Sequence, residues 1–278
     1  MSTTSNPTEE LEAFLNKPIN SVSREALLAH RFMYDMTLAA ALRGYALLSF
    51  TPTVDRDGVD LVLSDHDNIR HVQLKSTTQR AIPSLPTTNV HGSVLKPQVD
   101  QADRIGFDPT QGGSGQGGVV ILMEFSVDTP SDISVRYWLT DAYVLVALSH
   151  SMVPGAPKNA IRDANALIQA LQSGSSTERF DVPVSCFLPT KSPAALLGIG
   201  GWHAPDPFGN RNWQYQLGER LRPLSRDEYE RRAIPGMLDA KTANERHNKN
   251  LEKLVSDSLS SFVTWPSRIK TKKKKAGL

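Results

Sequence analysis

The sequence predicts a mixed α/β domain, of the α/β or α+β kind. Three patterns carry the prediction: a long helix from about Ser23 to Arg43, a β-hairpin over Val59–Ser64 and Ile69–Thr77, and a buried strand at Val119–Ser126. Helix, strand, hairpin, helix and strand follow in that order, which suits neither a helical bundle nor a β-sandwich.

Each element has its own signal. Thr8 to Leu15 reads as a short helix inside a loose lead-in. The next helix places Leu28, Phe32, Ala39 and Leu42 on one stripe at three- and four-residue spacing, with Gly44 as its stop. Asp35 falls on the same stripe and Glu25 begins it. Tyr45 to Thr51 reads as a strand stopped by Pro52. After the hairpin comes a proline-broken segment, Pro83 to Pro97, then a short helix at Val99–Ile105. A glycine-rich loop follows, Gln111 to Gly118, expected to be flexible. Ser134–Thr140 and Tyr143–Leu148 are strand candidates, the second ambiguous with helix. Asn159–Gln172 is expected to be helical and Arg179–Leu188 a strand. Ser225-Arg226-Asp227-Glu228 resembles a capping box, and a charged helix is expected from Leu238 to Phe262. The expected organisation is a domain over residues 1–200, an aromatic loop region and helical extension over 201–269, and a basic tail over 270–278.

Composition narrows the function classes. The 278 residues are 39% hydrophobic and 22% charged, ordinary for a folded chain. No apolar run is long enough for a bilayer helix, so no membrane partner is expected. The polar, acidic start from Met1 to Glu12 is not a secretory signal, and the expected location is cytoplasmic. A single cysteine, Cys186, excludes an internal disulfide and a cysteine-built zinc site. The net charge is +2, but five lysines stand in the last nine residues; removing those five charges leaves the rest at −3. A nucleic-acid groove on such a body must be local.

The hairpin carries the chemistry. A tight turn between His66 and Asp67 pairs residues whose numbers sum to 133, which sets Asp60 opposite Gln73. Lys75 joins their face, while Val59, Leu61, Leu63, Val72 and Leu74 make the other face apolar. A one-residue slip would destroy both properties. Asp60 supplies a hard anionic oxygen for a magnesium-like ion; the Gln73 amide oxygen and the Leu74 backbone carbonyl supply neutral oxygens. Lys75 can orient or deprotonate a water, or stabilise charge on a phosphate. Gln73 brings no charge, so another acid is needed: Asp35 first, Glu25 second.

Asp57-Gly58-Val59-Asp60 followed by Gln73-Leu74-Lys75, after a helix and a strand, resembles the PD-(D/E)xK nuclease superfamily, in the branch with Gln-x-Lys found in Mrr-like restriction enzymes. The resemblance covers roughly residues 22–145. It implies a restriction endonuclease-like fold, a central mixed sheet flanked by helices. It makes Asp60 the first motif acid, Gln73 the second-acid position and Lys75 the motif lysine. It implies Mg²⁺ (or Mn²⁺) as cofactor, DNA as partner and endonuclease activity, with restriction or anti-phage defence as a possible setting. The proline expected before the first acid is absent; Val59 stands there.

Plainer readings stand beside these. Asp60, Gln73 and Lys75 can be a solvated strand face, Asp35 a surface acid and Glu25 a first-turn acid favoured by the helix dipole. His71 shares the reactive face and can be an ordinary strand residue. Gly113 to Gly118 matches GxGxxG but precedes a strand instead of joining strand to helix. Trp202, His203, Trp213 and Tyr215 can stack on bases or form a satellite core, and Cys186 reads as a small buried residue. Two rival functions remain: a nucleic-acid-binding protein of this fold without catalysis, and an effector-adaptor whose C-terminal helices make a homodimer or recruit a protein partner.

Overall fold

The structure, a computed structural model, describes residues 6–52, 57–66, 68–78, 87–108, 112–129, 132–173, 178–202, 249–250 and 252–260. Helix α1 (Pro7–Asn16) starts where the Asn6 side chain accepts the Thr8 N–H at 3.1 Å. Helix α2 (Ser21–Ala41) buries Leu28, Phe32, Met36, Ala39 and Ala40. It is released by Gly44, whose φ of +80° suits a residue without Cβ. Leu42, placed on the stripe by spacing alone, lies past the last helical turn and is 80% exposed.

Strands β1 (Leu48–Phe50), β2 (Leu61–Ser64) and β3 (Ile69–Thr78) are followed by β4 (Thr87–His91), helix α3 (Gly92–Leu95) and helix α4 (Val99–Ile105). Strands β5 (Val119–Thr129) and β6 (Asp132–Thr140) form the next hairpin. Helix α5 (Ala142–Ser149), helix α6 (Lys158–Gln172), β7 (Arg179–Pro183), β8 (Leu188–Pro189) and helix α7 (Pro193–Ile199) complete the ordered run. One mixed sheet has the order β1-β2-β3-β5-β6-β8; β3 and β5 are parallel and its other pairs antiparallel. Strands β4 and β7 form a separate antiparallel ribbon.

The architecture is thus a mixed α/β domain with a central mixed sheet flanked by helices. Val119 to Met123 are all buried, the signature of a strand covered on both faces. Trp202 is fully buried in the same core, as are Val255 and Leu259, so the described part of the 201–269 region packs on the sheet domain. Residues 252–258 are helical, and Leu259 bridges to Thr190 beside β8. His203, Trp213, Tyr215, the Ser225 capping box, most of the 238–262 helix and the basic tail lie outside the described residues. Among the described residues no helix is long and apolar enough to cross a membrane.

Several elements differ from the sequence expectation. Tyr143–Leu148 is helix, because the Asp141 carboxylate caps the Val144 N–H at 2.8 Å and every residue from Ala142 to Leu148 is buried. A helix buried all round has no amphipathic period to detect. The Pro83–Pro97 segment contains strand β4, whose partner β7 lies far along the chain. The Arg179–Leu188 strand is interrupted by a 3₁₀ turn at Val184–Cys186, which follows Pro183. The 112–118 stretch is held rather than free: the N–H groups of Gly115, Gln116, Gly117 and Gly118 donate to the carbonyls of Pro97, Ser93, Lys96 and Val94. The close approach needs small residues, since a Cβ on Gly115 would lie 2.4 Å from the Ser93 carbonyl oxygen. Cys186 is buried, and that burial pushes its thiol pKa up to about 12.

Candidate active-site groove

The hairpin adopts the register that the alternation dictates: Leu61↔Val72, Val62↔His71, Leu63↔Arg70 and Ser64↔Ile69. Leu61, Leu63 and Val72 are buried, so the apolar face packs inward; Leu74 is only partly buried. Asp60 sits one residue before β2. Its backbone N–H donates to the Val72 carbonyl at 2.9 Å, and its carboxylate accepts the Leu74 N–H at 2.6 Å. The carboxylate therefore stands along the edge of β3 where β2 has not yet begun. A strand residue directs its N–H and C=O to the same edge, so the Leu74 carbonyl faces this side as well.

Gln73 is 3% exposed, and its Oε1 accepts the His91 N–H at 3.0 Å. This ties β3 to the β4–β7 ribbon. Gly58 is wedged into the same junction: a Cβ there would lie 2.5 Å from Gln73 Nε2 and 2.6 Å from His91 Cβ. Asp57 (φ +66°) and Gly58 (φ +71°) are both left-handed, and the Asp57 carbonyl accepts the Ser93 hydroxyl at 2.9 Å. The turn that delivers Asp60 is thus set by its own dihedrals and by contacts to β3 and α3. Gly58→Ala is expected to destabilise by about 1–2 kcal/mol through the left-handed backbone, and by about 1–3 kcal/mol more through the clash. Gly44→Ala, at φ +80° with open space around it, should show only the first part. Equal melting-temperature losses in the two variants would show that Gly58 is not wedged.

Asp60, Gln73, Leu74 and Lys75 line one groove of about 480 Å³, and Glu25 of α2 lines it with them. Arg24 of α2 and Arg179 of β7 are its other cations beside Lys75. Glu25 stands on the second turn of α2, beyond the first-turn positions where the dipole acts most strongly.

Asp35 does not line this groove. It lies ten residues along α2 from Glu25, about 15 Å down the axis and turned to another side. Its carboxylate accepts from Arg31 at 3.0 Å and from the Tyr137 hydroxyl at 2.6 Å. Arg31 continues to Asp132 at 3.0 Å and to the Ile133 carbonyl at 2.8 Å. Burial, then the Asp35 carboxylate, pushes the Tyr137 hydroxyl pKa well up. This network tethers α2 to β6 and accounts for an acid beside the apolar stripe. His71 does not line the groove, and its buried Nδ1 has no hydrogen-bond partner.

The donor set suits a hard cation. Two carboxylates, Asp60 and Glu25, share the groove with the Leu74 carbonyl, while the Gln73 amide oxygen is already bonded to His91. No group of three or more His, Cys, Asp or Glu side chains arranged for a metal occurs among the described residues. Magnesium is commonly held by one or two carboxylates, with waters and substrate phosphates completing its shell, so two carboxylates fit that ion better than zinc. Sequence reasoning missed Arg24, Arg179 and His91 as neighbours of the site. They come from a helix start and from a ribbon whose pairing no local pattern announces. Comparison with family models, with curated proteins and with solved structures returns no significant match for this chain.

Proposed function

We propose that the chain is a magnesium-dependent nuclease that hydrolyses DNA phosphodiesters in the groove beside β3. Its mixed sheet and hairpin would then be a restriction endonuclease-like core. The observation that carries the reading is convergence: Asp60 from the turn before β2, Lys75 from β3 and Glu25 from α2 line one groove. Asp60, Glu25 and the Leu74 carbonyl would hold Mg²⁺ or Mn²⁺. When bound, the ion supplies Lewis-acid stabilisation of the charge that develops on the phosphoryl oxygens. Lys75 orients the attacking water or donates to a phosphate oxygen. The water oxygen bonds to phosphorus and gives up one proton to solvent, the bond to the leaving sugar oxygen breaks, and that oxygen takes up a proton from solvent. Gln73 holds the ribbon against this edge through His91.

The test is supercoiled plasmid incubated with Mg²⁺ or with chelator. Wild type should nick only with the metal, and Lys75→Ala should lose about 100-fold in rate. Cutting that survives the chelator, or a Lys75→Ala variant as fast as wild type, would sink the proposal. A second reading, a nucleic-acid binder without catalysis, is favoured by the Gln73 oxygen being bonded to His91 rather than left for a metal. It predicts salt-sensitive DNA binding with no turnover in either metal.

A further inference from the structure

We infer that Arg24 and Arg179 form a phosphate grip, holding nucleic-acid backbone phosphates that flank the one presented to Asp60 and Lys75. The groove would thus take a polynucleotide rather than a small phosphodiester. This inference rests on the nuclease reading and names the residues that would hold its polymeric substrate.

The pairing of the arginines, taken with their place in one groove, points to it. Among the described residues, Arg31 is paired with Asp35 and Asp132, Arg70 with Asp141, Arg136 with Glu124 and Arg162 with Asp163, while Arg43 stands exposed and without an ion pair past the end of α2, away from the groove. Among the described residues, the two arginines of the groove donate only to neutral oxygens: Arg24 to the Leu15 carbonyl at 2.9 Å, and Arg179 to Asn89 Oδ1 at 3.4 Å. Carboxylates are not lacking nearby, since Glu25 and Asp60 line the same groove. Among the described residues, Lys75 also has no ion pair.

Three cations without carboxylate partners among the described residues therefore share one groove on a chain that, without its basic tail, carries a net charge of −3. With Glu25 and Asp60 given to a metal, these three positive charges are left to face an anionic ligand. A guanidinium fork matches phosphate oxygens in a bidentate manner. A lone phosphodiester has one negative charge, which Lys75 and a metal already answer. Two further cations call for further phosphates, and each added nucleotide brings one.

The test is fluorescence anisotropy of a short labelled DNA duplex, in chelator, across a series of salt concentrations. Arg179→Ala and Arg24→Ala should each lower the slope of log K against log salt by about 0.9, as one lost phosphate contact requires. Arg43→Ala should leave it unchanged, because Arg43 is exposed and stands just past the end of α2, roughly 28 Å from Arg24. Arg24→Lys keeps the charge and should keep the slope. Melting curves check folding, and Arg179→Ala decides the matter if the Leu15 contact proves essential to Arg24. Wild-type binding with unchanged slopes in both alanine variants overturns the grip while the nuclease reading stands. Metal-dependent hydrolysis of bis(p-nitrophenyl) phosphate without DNA binding overturns the grip and leaves a small-diester hydrolase. Neither binding nor hydrolysis overturns both.

Discussion

Asp60→Asn is expected to cut plasmid about a thousandfold more slowly than wild type while staying folded and keeping its DNA affinity in chelator. The substitution separates the shape of the Asp60 side chain from its charge. The carboxylate accepts the Leu74 N–H at 2.6 Å, which an amide oxygen can still do. Under the proposed function it would also bring the negative charge that a magnesium ion needs beside β3, which an amide cannot. A loss of cutting without a loss of fold therefore isolates the charge. Calorimetric titration with Mn²⁺ should show the matching loss of metal affinity. Two helix variants sharpen the result. Glu25→Gln should slow cutting, since Glu25 lines the groove. Asp35→Asn should leave cutting near wild type and lower the melting temperature, because its partners are Arg31 and Tyr137. If Asp60→Asn cuts as fast as wild type, the reaction does not take place in this groove.

The largest expected stability loss lies at Arg70 and Asp141. Arg70 on β3 is 3% exposed and donates to the Gly118 carbonyl at 2.9 Å, the Gly200 carbonyl at 3.0 Å and the Asp141 carboxylate at 3.0 Å. Asp141 in turn caps α5 through the Val144 N–H. One ion pair thus joins the hairpin, the glycine loop before β5, the end of α7 and the start of α5. Asp141→Ala removes the helix cap and leaves a buried guanidinium without its counter-charge, which costs about 3–5 kcal/mol. For a chain of this size that is a fall of roughly 10 °C in melting temperature. The Arg70→Met/Asp141→Ala pair should lose less than the two single losses added together, because the second substitution removes the stranded charge. Additive losses would show that the two groups act independently.

How much of this was legible along the chain depends on the range of the interaction. The hairpin register follows from alternation between residues a few positions apart, so Asp60, Gln73 and Lys75 could be gathered on paper. Their surroundings could not. The Gln73 side chain, read as a metal ligand because its oxygen suits one, spends that oxygen on His91, from a ribbon hidden in a proline-rich stretch. Asp35 and Glu25 look alike by spacing. Which one meets the groove depends on where α2 crosses the sheet, set by the packing of Phe32 and Met36 and by the Tyr137 tether. Tyr143–Leu148 illustrates the opposite failure: burial on every side erases the periodicity that would mark a helix, leaving the Asp141 cap as its signal.

The sequence by itself determined the opening order of helix, strand and hairpin, the mixed α/β class, the hairpin register and the trio gathered on one side of it. Each of these rests on periodicity, turn chemistry or nearest-neighbour pairing, which are local properties. Only the tertiary structure decided that Glu25 rather than Asp35 joins the trio, that Gly58 is wedged between Gln73 and His91, and that Arg24 and Arg179 line the groove. Those outcomes follow from how the helix and the ribbon dock on the sheet, and docking is set by contacts between residues far apart in the chain.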